Sequence, residues 1–412
     1  MTKLYGNAVV GQSGGPTAAI NATLSGVIKG AMIARDEGYI GTLYGMRNGI
    51  EGFLKEDLVD LFATFENKND LSTLEATPAA ALGSCRRRLK NYEDDAETYT
   101  RLLEIFKKYN IRYFFYIGGN DSMDTVLKLS RYAAAHDYEM RVVGVPKTID
   151  NDLMATDHTP GFGSAAKFVA TTVKEILRDI EVYSIKAVTI VEVMGRDAGW
   201  LTASAALPAV GGGRAPDLVY LPEATFDADK FISDVRAALD KHPAVLVAAS
   251  EGIRFANGRY VGEGTDSRAV DAFGHTALSG TGKVLESLVK EKIGCKVRSI
   301  ELSLPQRCAA HIASLTDISE SVAVGKGAVA VATEGKTGVM MTIDRIPTDE
   351  YKTEIGCADI ATIANAVKTV PAEYINADGN GITAAGLSYL APLIVGELGV
   401  EYEDGLPKHF II

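Results

Sequence analysis

Cysteine is scarce in this chain of 412 residues, which has four: Cys85, Cys295, Cys308 and Cys357. No two of them have the CxxC spacing of a metal knuckle or a redox pair, and they are too sparse for a disulfide framework. The six histidines form no HxxxH or HExxH pattern, so a zinc site and a serine triad have little support. We therefore expect reduced thiols and a cytoplasmic protein.

Long apolar segments and an excess of basic residues are also missing. No run of 18 apolar residues occurs, and the charge-free stretch Ala198–Gly213 is interrupted by a proline and four glycines. No apolar segment follows Lys3, so no secretory signal is expected. The chain has 42 Lys and Arg against 53 Asp and Glu, a net charge of −11. We expect neither a membrane nor a nucleic acid as a partner.

The recurring unit of the chain is a short apolar run, then a polar or glycine-rich turn, then a helix-like stretch. The runs that predict buried strands are Asn7–Val10, Tyr113–Ile117, Arg141–Val145, Val188–Val193, Leu218–Leu221 and Ala244–Ala249. Continuous apolar runs separated by helices are typical of an α/β fold with mainly parallel sheets, each covered on both faces. Because such sheets bind ligands beyond the carboxyl ends of their strands, the polar clusters at those ends predict the site.

Two glycine-rich turns follow predicted strands. Gly11–Gly15 opens a helix and can present backbone N–H groups to an anion, although it matches neither GxGxxG nor a Walker loop. A simple strand-to-helix turn is an equal alternative for this segment. In Gly118–Ser122, the oxygens of Asn120 and Asp121 suit a hard cation or a phosphate-bearing ligand. The alternative for these two residues is capping of the next helix.

The segment Lys147–Asp152 carries the densest chemistry in the sequence, with one lysine, one threonine and two carboxylates directly after a predicted strand. In an extended turn, Asp150 and Asp152 point to one side. One of them can then hold Mg²⁺ while the other accepts a hydroxyl proton. A solvated polar turn is the alternative. His158 follows closely, and we expect it to have a structural role.

Four arginines and one glutamate are further candidates for contacts to a ligand. Arg196 follows a predicted strand, Arg86 opens a run of three arginines, and Arg298 and Arg307 flank the segment 299–306. A guanidinium group suits phosphate, but a surface salt bridge is an alternative for Arg196 and Arg86. Glu251 ends a predicted strand as an exposed acceptor suited to sugar hydroxyls, and the alternative is a simple cap.

In this order along the chain, these segments resemble the phosphofructokinase family. The matching segments are Ser13–Gly15, Gly83–Arg86, Gly118–Ser122, Pro146–Asp152, Met194–Arg196, Glu251 and Arg298–Arg307. The PxTIDND turn is the most diagnostic of them. Asp121 and Lys147 are similar to the pyrophosphate-dependent branch, since the ATP-dependent branch usually has glycine at both positions.

The resemblance implies a role for each matching residue, and Asp150 is the implied base that takes the proton from O1 of a sugar. The implied catalytic residues are Asp150, Lys147, Thr148 and Arg196. The implied donor-binding residues are Gly14, Arg86, Gly119, Asp121 and Lys147. The implied sugar-phosphate contacts are Thr148, Ile149, Asp150, Met194, Gly195, Arg196, Glu251, Arg298 and Arg307. Asn120 and Asp152 are the implied contacts to Mg²⁺.

The resemblance also implies a fold and a reaction. Two Rossmann-like lobes enclose the site, with residues 1–160 and about 306–370 in a donor lobe and residues 161–305 and about 371–412 in a sugar-phosphate lobe. The reaction is reversible phosphoryl transfer from pyrophosphate to fructose 6-phosphate in a homodimer or homotetramer. The alternatives are ATP as donor, sedoheptulose 7-phosphate as a further acceptor, and a non-catalytic sugar-phosphate sensor. A dinucleotide oxidoreductase lacks its GxGxxG motif here.

Three positions depart from the family pattern, which often has aspartate at Asn120, arginine at Ala187 and histidine or tyrosine at Leu304. Lys186 is a candidate substitute for the missing arginine. The glycine-rich and charged segment Arg254–Gly282 has no clear periodicity, and we expect a surface excursion or a mobile lid there.

Overall fold

Two sheets organise the protein in a computed structural model that describes residues 3–67, 69–263, 280–363 and 366–412. The strands are β1 (Gly6–Gln12), β2 (Ile40–Met46), β3 (Leu58–Asp60), β4 (Ile111–Gly118), β5 (Arg141–Pro146), β6 (Ala187–Val193), β7 (Leu218–Tyr220), β8 (Ala244–Ser250), β9 (Lys296–Glu301), β10 (Val339–Arg345), β11 (Thr353–Asp359), β12 (Tyr402–Glu403) and β13 (Leu406–Pro407). Residues 264–279 of the expected surface excursion or lid lie outside the described residues.

Helices separate most of these strands. The α-helices are α1 (Ile20–Asp36), α2 (Gly49–Leu54), α3 (Leu61–Thr64), α4 (Asn69–Glu75), α5 (Ala96–Lys108), α6 (Asn120–Ala135), α7 (Phe162–Ile180), α8 (Trp200–Ser204), α9 (Ala228–Lys241), α10 (Thr281–Lys292), α11 (Pro305–Cys308), α12 (Leu315–Thr333) and α13 (Ala384–Leu390). Short 3₁₀ turns occur at Leu207–Ala209, Ala310–Ile312, Ile360–Thr362, Ala372–Tyr374 and Ala391–Ile394. None of the helices in the described part of the chain has both the length and the apolar character that a bilayer crossing requires.

The first sheet has seven strands in the order β11-β10-β5-β4-β1-β2-β3. Its inner pairs are parallel, and the edge pairs β10–β11 and β2–β3 are antiparallel. Helices α1 and α12 pack on one face, and α5 and α6 pack on the other. Because both faces are covered, the central strands are continuously apolar, as the sequence predicted.

The second sheet has four parallel strands in the order β7-β8-β6-β9. Helices α7 and α8 cover one face, and α9 and α10 cover the other. The carboxyl ends of β6 and β8 carry Met194–Arg196 and Glu251. The α/β fold with two mainly parallel sheets is therefore confirmed.

Helices α1 and α12 cross at a seam of two glycines. A Cβ atom on Gly26 would lie 2.2 Å from the carbonyl oxygen of Val322, and one on Gly325 would lie 2.2 Å from that of Thr23. The two helix backbones are therefore in contact, and α12 packs together with α1 on the first sheet. By contrast, α13 and residues 391–394 pack on α7 and α8. We propose on this basis the division into residues 1–160 with about 306–370 and residues 161–305 with about 371–412.

Two helices near the second sheet are short. The helix α8 after Arg196 ends at Ser204, and the C-terminal helix α13 ends at Leu390. Each helix is followed by a 3₁₀ turn that has a proline in its first residues, Pro208 and Pro392. Proline has no N–H group to continue an α-helical ladder, so the helix stops before it.

Candidate active site

A cavity of about 490 Å³ lies where the carboxyl ends of β1, β4, β5, β6 and β8 meet. Most of the residues that the sequence singled out line it: Gly14, Arg86, Gly119, Asn120, Asp121, Lys147, Thr148, Ile149, Asp150, Asp152, Met194, Arg196, Glu251 and Arg307. Gly195 adjoins the cavity, since its N–H donates to Glu251 Oε1 over 3.3 Å. The cavity thus combines residues from both sheets, as expected for a ligand held between two lobes.

The first glycine turn is fixed to the arginine segment beside it. Gly14 has a left-handed φ of 76°, which a residue with a side chain adopts only with strain. Its N–H donates to the carbonyl of Cys85 over 3.1 Å, and Ser84 Oγ donates to the Gly14 carbonyl over 2.7 Å. This pairing places Arg86 next to the turn.

Lys147 is the cation at the centre of the cavity, with only 2% of its surface exposed. Its Nζ donates to the carbonyl of Ser13 over 2.8 Å and to that of Gly15 over 2.5 Å. Burial lowers the pKa of Lys147 to about 7; Asp150 opposes this shift, and Arg307 and Arg86 add to it. The lysine therefore joins the glycine turn to the acidic residues and titrates near neutral pH.

Asp150 and Asp152 both line the cavity, although the turn that carries them is not extended as the sequence suggested. Asn151 between them has a left-handed φ of 54°. Burial raises the pKa of Asp150, and the Thr148 hydroxyl, which donates to Asp150 Oδ2 over 3.3 Å, opposes that shift. Burial also raises the pKa of Asp152 to about 7, and the nearby Asp150 adds to the shift. Two buried carboxyl groups side by side hold protons more tightly than isolated ones.

Asn120 opens helix α6 and presents an unsatisfied oxygen. Among the described residues, its buried Oδ1 has no hydrogen-bond partner, while its Nδ2 lies 3.5 Å from Asp152 Oδ2. Gly119 is the N-cap residue of α6, so neither Asn120 nor Asp121 occupies the N-cap position itself. An orphaned amide oxygen beside a buried carboxylate fits a hard cation.

No group of three or more His, Cys, Asp or Glu side chains in the described ranges is arranged to hold a metal ion. Asn120 and Asp152 would thus leave most coordination positions of a cation to phosphate oxygens and water. Mg²⁺ sites with few protein ligands and a bound phosphate have this composition.

The second sheet contributes a cation and an acid. Arg196 forms no salt bridge with any described residue, and its buried Nε has no partner there, which excludes the salt-bridge alternative within this set. Glu251 is half-buried and not the exposed acceptor that the sequence suggested. Burial raises the pKa of Glu251 to about 7, and the N–H of Gly195 partly offsets the shift. Both side chains are available to a polar ligand.

Arg298 is the one predicted residue that this chain does not bring to the cavity. It lies near the amino end of β9, and it lines a separate recess with Glu175 and Asp179 of α7. Most of the other predicted residues follow the carboxyl ends of strands, whereas Arg298 is the third of the six residues of β9 and lies on its flank. Two positions that depart from the family pattern are Ala187, which begins β6, and Leu304, which is exposed. Lys186, the candidate substitute for the missing arginine, pairs with Asp240 on the surface.

Arg307 lies against the first glycine turn: its Nη1 is 3.3 Å from the point where a Cβ atom on Gly15 would be. Burial lowers the pKa of Arg307, and the neighbouring Arg86 adds to the shift. Three cations, Arg86, Lys147 and Arg307, therefore share one side of the cavity.

A family model described as Phosphofructokinase matches residues 7–332. The chain belongs to the phosphofructokinase family. It is 42% identical over 405 residues to a pyrophosphate–fructose 6-phosphate 1-phosphotransferase of Methylococcus capsulatus, covering 98% of this chain and 95% of that protein. A relative of the same name from Xanthomonas campestris is also 42% identical, over 407 residues, with the same coverage.

A solved structure supports the same family at the level of the fold. The pyrophosphate-dependent phosphofructokinase of Nitrosospira multiformis superposes with a TM-score of 0.88 and 39% identity, covering 98% of this chain and 96% of that one. Phosphotransferases of the phosphofructokinase family generally use a divalent metal ion, which agrees with the cation-binding character of Asn120 and Asp152.

The structure adds residues to this phosphofructokinase cavity that the sequence did not single out, among them Thr17, Asp197 and Val367. Asp197 directly follows Arg196, and its Oδ1 accepts a hydrogen bond from Arg254 over 2.6 Å. Its position next to a predicted site residue was a usable signal. Val367 lies in a segment without strand or helix periodicity, so nothing in the local sequence indicates its place.

Proposed function

We propose that this protein is a pyrophosphate-dependent 6-phosphofructokinase. It transfers a phosphoryl group reversibly from pyrophosphate to O1 of fructose 6-phosphate, which gives fructose 1,6-bisphosphate and phosphate. The observation that carries the proposal is the grouping of Lys147, Arg86 and Arg307 around one glycine turn, next to the carboxylate of Asp150. The activity named for the relatives that are 42% identical over almost the whole chain agrees with it.

Asp150 acts as the general base. As the bond between O1 and phosphorus forms and the bridging P–O bond of pyrophosphate breaks, the O1 proton passes to the Asp150 carboxylate. The raised pKa of this buried group makes it a stronger base than an exposed aspartate. Thr148 Oγ1, which donates to Asp150 and accepts from its backbone N–H over 3.1 Å, orients the carboxylate.

The cations stabilise the charge on the donor. Phosphoryl transfer has a loose transition state, and its catalysis consists mostly of positioning and charge neutralisation. Lys147 pairs with the leaving phosphate as its charge grows, a contact that is strongest in the transition state. Gly14, Gly119 and Arg86 supply the remaining contacts to pyrophosphate.

Mg²⁺ is the metal that we propose for this site, with Asn120 Oδ1 and Asp152 as its protein contacts. When bound, it neutralises charge on the phosphate oxygens. The carboxylate of Asp152 must be ionised to bind the metal ion. Because burial favours its protonated form, Asp152 must release a proton when the metal binds.

The sugar phosphate lies on the side of the second sheet. Its phosphate lies between Arg196 and Arg307, and Arg307 also borders the glycine turn of the donor. Glu251 accepts from its hydroxyls, and the backbone at Met194 and Gly195 fits against the ring. The two ligands thus enter from different sheets, and the transfer takes place at the turn 147–152 between them.

A homodimer or homotetramer completes the sugar site in this proposal. Arg298 then contacts the sugar phosphate held by a neighbouring chain, since it lies outside the cavity of its own chain. Val182, Tyr183 and Ile185 follow α7 and are 74%, 52% and 53% exposed, an apolar surface that an interface would cover. The four cysteines are all free, which agrees with a cytoplasmic protein.

A comparison of donors tests the function. We expect turnover with pyrophosphate far above that with ATP, because Asp121 places a carboxylate in the cavity where a glycine would leave room for a nucleotide. Asp121→Gly combined with Lys147→Gly should raise the use of ATP. The measurement is the rate of fructose 1,6-bisphosphate formation with each donor.

The matched control is Asp137→Gly, which removes an exposed carboxylate just beyond the other end of α6. It should leave the ratio of the two donors unchanged. Efficient turnover with ATP and none with pyrophosphate by the unaltered protein would overturn the assignment of the donor.

A further inference from the structure

The residue between the two catalytic carboxylates is itself fully buried. Asn151 has no exposed surface and a left-handed backbone, with a φ of 54°. Such a conformation persists in a residue with a side chain when the surroundings hold it. Asn151 lies between Asp150 and Asp152 in the chain, so a change in its backbone conformation would move both carboxylates.

Three segments of the chain hold the Asn151 amide. Its Nδ2 donates to the hydroxyl of Tyr389 over 3.1 Å. Its Oδ1 accepts from the backbone N–H of Thr159 over 3.1 Å and from Lys368 Nζ over 3.5 Å. The Tyr389 hydroxyl in turn donates to the carbonyl of Asp157 over 2.7 Å. The amide is therefore fixed on both sides.

Lys368 is bound to the same turn through its backbone and its side chain. Its N–H donates to the carbonyl of Asp152 over 2.8 Å, and its Nζ donates to the carbonyl of Asp157 over 2.6 Å. Trp200 Nε1 donates to the carbonyl of Lys368 over 2.9 Å. Lys368 thus connects the catalytic turn to α8, which packs on the second sheet.

A group of paired charged side chains, partly or fully buried, packs against Tyr389. The guanidinium of Arg345 lies 4.6 Å from the centre of the Tyr389 ring, and its Nη2 is 3.0 Å from Asp157 Oδ1. His158 bridges Asp157 and Glu320, with Nδ1–Oδ1 and Nε2–Oε2 distances of 2.8 and 2.6 Å. The ring is therefore held by groups that are themselves paired.

We infer that Tyr389 and Lys368 are positioning residues for the phosphoryl transfer, acting through Asn151 on Asp150 and Asp152. Both lie beyond residues 7–332, the part of the chain that the family model matches. The inference rests on the proposed function for the reaction that it serves. It assigns the segment after residue 366 a part in catalysis, although that segment contributes only Val367 to the lining of the cavity.

The test is Tyr389→Phe compared with Tyr374→Phe. The Tyr374 ring packs 5.6 Å from that of Tyr389, but its hydroxyl bonds to no described residue. Loss of the Tyr389 hydroxyl should lower kcat about 10-fold, the effect of one buried hydrogen bond, with the KM for fructose 6-phosphate nearly unchanged. Tyr374→Phe should leave both constants unchanged. A merely structural role would reduce the active fraction and lower the apparent kcat in the same way, so kcat is calculated per active site and not per total protein.

A double-mutant cycle shows whether Tyr389 acts through Asn151. Asn151→Gly keeps a left-handed backbone without strain and removes the amide. If the hydroxyl works through that amide, Tyr389→Phe should have almost no further effect on kcat in the Asn151→Gly background. Full additivity of the two losses would overturn the inference.

Lys368 provides a second variant if Tyr389→Phe folds poorly. Lys368→Met should lower kcat, and Lys368→Arg, which keeps donors at the same place, should restore part of it. All variants are assayed with the donor that the unaltered protein uses. Equal kcat for Tyr389→Phe and Tyr374→Phe would refute the inference, whereas no turnover of fructose 6-phosphate by the unaltered protein would refute the proposed function.

Discussion

The cavity has two halves of opposite charge, and burial shifts the pKa of the groups in each half in opposite directions. Lys147 and Arg307 stand together with Arg86 and have lowered pKa values. Asp150, Asp152 and Glu251 stand together and have raised ones. Each half is electrostatically unfavourable alone and is relieved by a ligand of the opposite sign. The difference supports the proposal that a phosphate binds one half and that a cation and a proton bind the other.

Removing the base from the acidic half should have the largest effect. Asp150→Ser should lower kcat by roughly 10²–10⁴-fold, because the O1 proton then has no acceptor. Binding of fructose 6-phosphate should survive, since other residues hold the sugar. Steady-state kinetics measure both, with Asp137→Ser as an exposed control. An unchanged kcat would remove Asp150 from this role.

Removing the central cation should have the next largest effect. Lys147→Met should lower kcat by about 10²–10³-fold, as expected when a donor to the developing charge is lost. The KM for fructose 6-phosphate should change much less, because Lys147 is bound to the glycine turn proposed for the donor. A loss confined to sugar binding would contradict the assignment of Lys147 to the donor.

The lowered pKa of Lys147 predicts how kcat/KM changes on the alkaline side of its pH profile. Its pKa is lowered to about 7, so the protonated form is lost as pH rises through that value and kcat/KM for pyrophosphate should fall. The raised pKa values of Asp150 and Asp152 give the acidic side, where the rate rises as they lose protons. Lys147→Arg should abolish the alkaline fall and keep the acidic limb, because arginine stays protonated.

The smallest effects are expected for the two arginines that flank residues 299–306. Arg307→Ala should raise the KM for fructose 6-phosphate about 10- to 100-fold, since a hydrogen bond to a charged group is lost. Arg298→Ala should raise it by a similar factor, because a neighbouring chain brings Arg298 to the sugar phosphate in the proposed oligomer. A rise only in the KM for pyrophosphate would assign Arg307 to the donor, next to Gly15. A much smaller effect of Arg298→Ala would contradict the proposed contact across the subunit boundary.

The sequence predicted the central strands and the residues at their ends because both follow from local patterns. Val188–Val193 and Ala244–Ala249 are continuous apolar runs, and parallel sheets collect the residues that follow them at one edge. The edge strand β7 was predicted as Leu218–Leu221, but β2, β3 and β9–β13 were not: β9, with the sequence KVRSIE, alternates and is half-exposed. Arg298 was given as a sugar-phosphate contact by the family resemblance, and the sequence pattern did not show that it lies within a strand.

The support of the catalytic turn could not be predicted either. Asn151 and Tyr389 are separated by more than 200 residues in the chain, and no periodicity or motif connects them. Their contact depends on how α13 packs against α7 and α8, which is a property of the whole fold. Single-sequence patterns describe neighbours along the chain, whereas this hydrogen bond joins two distant segments.

The hydrogen bond between Asn151 and Tyr389 also has a consequence for the synthesis of the protein. A ribosome that adds about 5–20 residues per second makes the catalytic turn some tens of seconds before it makes Tyr389. All eleven strands of the two sheets precede Tyr389 in the chain and are translated before it. A nascent chain can thus assemble much of its core early, but the turn 147–152 acquires its last supports only after Tyr389 has been made.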